Sequence, residues 1–130
     1  MKKLLYVLPI LAGMVGCTGV RAPIEGRADP YRASQIHFDS ETLRKDTAVE
    51  APIFGRNESG LLVTTIPIRS AINKTLYVDY RVTYFDSQRR VLSSAGPFNK
   101  TLLPNVPDQI QLTAPNPEVS DIQVDFYYAR

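Results

Sequence analysis

Few side chains in this sequence could do chemistry. There is one histidine, His37, and one cysteine, Cys17. Zinc sites draw on several histidine and cysteine ligands, and nucleophilic catalysis needs a base that a third group holds in place. One residue of each kind supplies neither arrangement, so the sequence predicts no metal site, no cofactor and no enzyme activity. We expect His37 to lie on the solvated face of a strand, between Ile36 and Phe38.

Paired carboxylates are the remaining route to catalysis. Asp79, Asp86, Asp121 and Asp125 could converge in space, as the two carboxyl groups of a glycosidase do. Alternation along the chain places Asp79 and Asp125 on outward faces of strands, and Asp86 begins a turn. We interpret these aspartates as solvated side chains on strand faces and as caps of turns.

Residues 1–16 have the order of a secretion signal. Lys2 and Lys3 precede about 13 mostly apolar residues that end at Gly16. A helix that crosses a bilayer needs roughly 20 apolar residues, so this run is too short for a permanent span. The sequence predicts a signal peptide over residues 1–16.

The residues Met14-Val15-Gly16-Cys17 resemble the bacterial lipobox, in which small residues precede a cysteine that becomes acylated. A cysteine can also pack as a small buried hydrophobe, but its place directly after the apolar run favours lipidation. We expect Cys17 to carry palmitate and to anchor the protein to a membrane of the bacterial cell envelope. Thr18 stands where aspartate would favour inner-membrane retention, which favours the outer membrane, facing the periplasm.

Charge and composition after residue 17 indicate a tether and one folded domain. Removing Lys2 and Lys3 from the 15 basic side chains leaves 13 against 13 acidic ones, so no basic excess remains for nucleic acid. Residues 17–33 mix glycine, proline and charge without an apolar period, which predicts a flexible tether. Residues 34–130 are long enough for one hydrophobic core.

Period-two alternation recurs within residues 34–130, most clearly over 76–85, 109–113 and 122–128. Clusters of turn-forming residues separate these runs, among them Asp86-Ser87-Gln88-Arg89 and Ala95-Gly96-Pro97. Evidence for helices is thin, because only residues 40–47 carry a cap-like serine with charges, and that segment is too short and too polar to anchor a helical fold. The sequence predicts an all-β, immunoglobulin-like antiparallel sandwich of about seven strands, in which the last strand can lie at a sheet edge.

An aromatic group falls on the strand positions opposite the main core alternation. It comprises Tyr77, Phe85 and Tyr127, with Arg81 between them. Tyrosine and arginine are favoured in protein interfaces, so these four residues form a candidate interaction surface. Local packing under a loop or under the tether explains an outward aromatic group equally well, and the sequence leaves both interpretations open.

The stretch Tyr80-Arg81-Val82-Thr83-Tyr84-Phe85-Asp86 resembles the signature of the YcfL-type periplasmic lipoprotein family. The order of later segments, such as Leu103-Pro104 before 110–112, resembles that family too. A glycine commonly stands three residues after the aspartate, where this chain has Arg89. The resemblance implies a single immunoglobulin-like sandwich on a lipid anchor, with no established activity and no catalytic residues.

The leading hypothesis is a non-catalytic binding or accessory module that meets an envelope protein while anchored by its lipid. One alternative is a structural lipoprotein of a secretion machine, similar to the small sandwich lipoproteins of type VI systems. A cell-wall hydrolase that uses Asp86 or Asp121 is the least favoured reading.

Overall fold

A computed structural model describes residues 29–129. The chain forms eight strands and one short helix in this range. In chain order the elements are β1 (Ile36–Phe38), α1 (Glu41–Asp46), β2 (Thr47–Val49), β3 (Ile53–Arg56), β4 (Leu62–Ser70), β5 (Leu76–Phe85), β6 (Val91–Leu102), β7 (Asp108–Thr113) and β8 (Asp121–Tyr128). The predicted all-β fold is confirmed.

The strands form two sheets. The first sheet has the order β1-β8-β5-β6, and the second is built around β4, which pairs with β2 and β3 along one edge and with β7 along the other. Every pairing between these strands is antiparallel except that of β1 with β8. The last strand, β8, therefore lies inside the first sheet, because β1 covers the edge that the sequence left open.

The core lies between the sheets and follows the alternation in the sequence. In β8, Ile122, Val124 and Phe126 are buried while the residues between them are partly exposed. In β4, Ile66 and Ile68 face them from the second sheet within the same cluster. A strand buries one face in this way because successive side chains point to opposite sides.

Helix α1 closes one end of the sandwich. The hydroxyl of Ser40 caps it by accepting a hydrogen bond from the Leu43 N–H at 3.1 Å, and the Leu43 side chain is fully buried. Partial burial, together with a hydrogen bond that Tyr128 donates to Asp46, raises the pKa of Tyr128 to about 12. The last residue of the helix is thus tied to the first sheet.

The chain before β1 also contacts the domain. Both carboxylate oxygens of Asp29 accept hydrogen bonds from Arg44 at 3.0 Å, and the Tyr31 ring packs on Phe38 at 6.2 Å. Burial, with Asp29 beside it, raises the pKa of the Tyr31 phenol. Residues 29–31 therefore fix the point at which the chain enters the fold. None of the helices within residues 29–129 is long and apolar enough to cross a membrane.

The Ala95-Gly96-Pro97 segment is part of a strand, which corrects the prediction of a turn there. These residues lie inside the twelve-residue strand β6, where a bulge sets Tyr80 opposite Phe98 and Val82 opposite Ala95. Gly96 has φ +111°, and a Cβ there would lie 2.9 Å from the Tyr80 carbonyl oxygen. Glycine and proline mark a bulge here, which disrupts the pairing locally without ending the strand.

Gly96→Ala is expected to destabilise the domain more than Gly60→Ala. Gly60 also has a positive φ, +77°, but a Cβ added there meets nothing within 4 Å. We expect the backbone conformation alone to cost about 1–2 kcal/mol at Gly60. We expect at least about 1 kcal/mol more at Gly96, because the main chain of β5 has to move. Urea unfolding of the two variants measures the difference, and equal losses would contradict the close approach of β6 to β5.

Candidate functional site

Three of the four predicted surface residues lie together on the outer face of the first sheet. Tyr77 is 59% exposed and Arg81 is exposed two positions beyond Asp79 on the same face of β5. Tyr127 on β8 lies directly opposite Asp79, so it is a diagonal neighbour of both Tyr77 and Arg81. We call the surface formed by Tyr77, Asp79, Arg81, Asp125 and Tyr127 the outer face.

Paired polar groups fill the space between these aromatic residues. The Asn99 side chain donates a hydrogen bond to Asp79 at 2.6 Å. Asp125 lies opposite Arg81 in the strand register, and its carboxylate is 3.3 Å from Nδ1 of His37 on β1. Arg81 on β5 therefore lies beside a carboxylate on β8, and His37 stands on an exposed strand face beside the same carboxylate.

The structure separates Phe85 from the other three residues. Phe85 is buried at the far end of β5, and the Arg89 guanidinium lies 4.3 Å above the centre of its ring. This cation–π contact covers the ring from the solvent side. Of the two interpretations that the sequence left open, Phe85 matches packing under a turn, whereas Tyr77 remains free to contact a partner.

The turn that carries Arg89 has an unusual backbone. The Asp86 N–H donates a hydrogen bond to the Arg90 carbonyl across the turn. Arg89 has φ +62°, a conformation that favours glycine. The Arg89 side chain stacks on Phe85 and donates to Asp121 at 2.5 Å. These contacts hold an arginine at the position where glycine is common in the family that the sequence resembles.

Two adjoining clefts lie beside this turn, on the side of the sandwich where β1 and β3 are the edge strands. The first has a volume of about 300 Å³, and its lining includes both Asp86 and Asp121. The second, of about 340 Å³, is lined by Tyr31 and other residues near the chain's entry point. Gln35 and Phe54 line both clefts. We call the pair the edge cleft.

The carboxylates of the edge cleft are held by neighbouring donors. Asp121 accepts hydrogen bonds from the Gln35 amide at 3.0 Å and from Arg89. The backbone N–H of Arg90 donates to Asp86, which lowers the pKa of that carboxyl, and the Gln88 N–H and the Arg90 side chain act in the same direction. A general acid needs a raised pKa instead. Asp86 is therefore suited to fixing its turn and not to donating a proton.

The remaining predictions concern metal ligands and the lipid anchor. Within residues 29–129 there is no group of three or more histidine, cysteine or acidic side chains that could hold a metal ion. The predicted lipidation site, Cys17, and the signal peptide lie outside the described residues. Sequence reasoning singled out neither Gln35 nor Phe54, because their shared cleft arises from residues far apart in the chain.

The fold resembles those of two solved structures. No family model and no curated protein matches this sequence. The structure of Campylobacter jejuni cj0090 aligns with a TM-score of 0.65 and 15% sequence identity, over 74% of this chain and 99% of that one. A DUF1425 family member from Shewanella sp. pv-4 aligns with a TM-score of 0.54 and 21% identity, over 65% of this chain and 79% of that one. The likeness is one of fold.

DUF1425 is a family of unknown function, so this likeness assigns no activity. It shows that small sandwiches of this shape occur in two bacterial proteins of 15% and 21% sequence identity. At such identities the side chains of a site are not inherited with the fold. The function has to be argued from the surfaces of this chain itself.

Proposed function

We propose that this protein is a bacterial lipoprotein of the YcfL type, a β-sandwich that works as a non-catalytic binding module on a membrane of the cell envelope. The observation that carries the proposal is the order of residues 1–17: two lysines, a short apolar run and Cys17 directly after Val15-Gly16. Multiple acyl chains on one residue give stable anchoring, because each buried CH₂ contributes roughly 0.8 kcal/mol. Thr18 favours the outer membrane, facing the periplasm.

A binding role agrees with the way the polar groups are used. His37 is paired with Asp125, Asp86 fixes a turn, and Asp121 is held by Gln35 and Arg89. A catalytic site of the common hydrolase type would instead place a nucleophile within hydrogen-bond reach of a base, and none of these contacts includes a serine, threonine or cysteine. We therefore propose that the domain is not an enzyme.

We propose the outer face as the surface that meets an envelope protein. Tyr77 offers a large aromatic group, 59% exposed, and Tyr127 is a diagonal neighbour of both Tyr77 and Arg81. Tyrosine and arginine dominate the energetically important positions of protein interfaces, because each combines a broad apolar surface with a directional polar group. The alternating charges of Asp79, Arg81 and Asp125 would select a partner with the opposite pattern.

A photocrosslinking amino acid at position 77 tests this assignment in the periplasm. We expect it to capture one specific envelope protein, and we expect Arg81→Ala to reduce the yield several-fold because it removes a central polar contact of the surface. The same probe at Val91, which is 64% exposed on β6, is the matched control. Recovery of only lipid and abundant porins from position 77, or of the same protein from both positions, would contradict the proposal.

A further inference from the structure

Strand β3 is an open sheet edge. On one side it pairs with β4, from Ile53 opposite Thr65 to Arg56 opposite Leu62. Within residues 29–129 no strand pairs with its other side. All four of its residues are exposed, with Ile53 at 62% and Phe54 at 40%. An edge of this kind presents unpaired backbone donors and acceptors to another strand.

The register shows which backbone groups point outward. The Asn57 N–H donates to the Leu61 carbonyl, so these two residues form a hydrogen-bonded pair of the ladder. Such pairs recur at every second residue, so Gly55 opposite Val63 and Ile53 opposite Thr65 are hydrogen-bonded pairs too. The N–H and C=O groups of Phe54 and Arg56 then point away from β4. Pro52 precedes the strand and has the same parity as these two residues.

The β6 edge of the first sheet is protected by irregular pairing, whereas the β3 edge of the second sheet has no register shift. Strand β6 is interrupted by register shifts at two places and contains Pro97, which are devices that prevent edge pairing. The only charged residue of β3 is Arg56, and its guanidinium is bonded to the carbonyls of Gly60 and Val119 at 2.7 and 2.9 Å. No charge within the strand therefore opposes an incoming strand.

The edge is complementary to itself when two copies run antiparallel about a twofold axis at Phe54. Phe54 of each copy then exchanges two hydrogen bonds with Phe54 of the other, and each Arg56 N–H donates to Pro52 of the other. Ile53 stands opposite Gly55 of the second copy, where a Cβ would meet nothing within 4 Å. The bulky exposed side chain of one copy thus faces open space on the other.

Aromatic side chains meet at the axis of this pairing. The two Phe54 side chains lie opposite each other on one face of the joined sheet, so their rings form an aromatic pair.

We propose that a second copy of this chain pairs antiparallel with the first through β3, joining the two β4-centred sheets into one continuous sheet. The pairing is isologous, so it closes at two copies and leaves no further β3 edge open. It does not depend on the lipid anchor or on the outer face, which belongs to the other sheet.

Phe54→Cys tests the pairing in the full chain, expressed in cells and oxidised before non-reducing electrophoresis. The Cα atoms of a hydrogen-bonded antiparallel pair are about 5.5 Å apart, within the range of a disulfide. We expect a species of doubled mass. Phe98→Cys, on the protected β6 edge and of similar exposure at 41%, is the matched control and is expected to stay at single mass.

The outcomes separate this inference from the proposed function. A disulfide between the Cys17 residues of two wild-type chains would show that this thiol is free, so it would count against lipidation and not against the pairing. No doubled mass with Phe54→Cys, equal doubling with Phe98→Cys, or a mixed disulfide between position 54 and another protein would each overturn the pairing.

Phe54→Pro provides a second test. The Phe54 N–H points away from β4, so proline removes no hydrogen bond within the single copy, whereas it removes both bonds across the axis. We expect purified wild-type full chain to show the protein mass of two copies by light scattering in detergent and Phe54→Pro that of one; equal masses would overturn the proposal.

Discussion

Phe126→Ala is expected to lower the free energy of unfolding by about 3–5 kcal/mol, the range for removing a fully buried phenylalanine. The Phe126 ring is fully buried on β8, stacked on Phe38 at 5.2 Å and tilted against Tyr80 at 5.9 Å. It therefore joins the three strands β1, β8 and β5. Because domains of this size are stable by only about 5–15 kcal/mol, the loss is a large part of the total.

Phe98→Ala is the control for this prediction. Phe98 also packs on Tyr80, with ring centres 5.4 Å apart, but it is 41% exposed on β6. We expect it to cost no more than about 1.5 kcal/mol, since much of its surface already faces water. Urea unfolding followed by circular dichroism measures both values. Similar losses for the two variants would show that the core is not centred on Phe126.

Cys17→Ala is expected to abolish acylation of the protein and removal of its leader. In the proposed account every acyl chain is attached through this residue, and one cysteine is present in the sequence. Without the thiol neither acylation nor lipoprotein processing can occur, so the variant should keep residues 1–16 and migrate as the longer, unacylated product. Immunoblotting of cell fractions measures the change in size.

Met14→Leu is the control for the anchor. It changes the same signature to its more usual residue and leaves the cysteine in place, so membrane association should be unchanged. Acylated protein in the membrane fraction of Cys17→Ala cells would show that the lipid is carried elsewhere.

Alternation within a strand could be predicted from the sequence, because it depends on neighbouring residues alone. The buried positions of β8 and the exposed position of Tyr77 on β5 follow directly from period two. The cap-like Ser40 is a local signal of the same kind, and the structure shows that it caps the first turn of α1. These features need no information about distant contacts.

Pairing between distant segments could not be predicted in the same way. β1 has only three residues, with His37 between two hydrophobic ones, and it becomes a strand by adding parallel to β8, more than 80 positions later in the chain. No residue near position 36 indicates that β8 is the partner strand. The position of β8 inside the sheet, and not at its edge, follows from this one non-local pairing.

The candidate surfaces show the same difference between what local alternation predicts and what distant contacts decide. Tyr77, Arg81 and Tyr127 share a face because alternation puts them there, but Phe85 is buried by Arg89, which folds back from a turn in a left-handed conformation. Packing across a turn overrides strand periodicity at that point. The edge cleft joins Gln35 and Phe54 only through the arrangement of the two sheets.

Metabolic labelling with a palmitate analogue tests the central claim most directly. Cells that express the full-length chain are grown with the analogue, and the immunoprecipitated protein is examined for the label beside the Cys17→Ala variant. The account predicts label on the wild-type chain, none on the variant, and a wild-type product shortened by its leader. Wild-type protein that takes up no label, and that keeps residues 1–16 while floating free of the membrane, would contradict it.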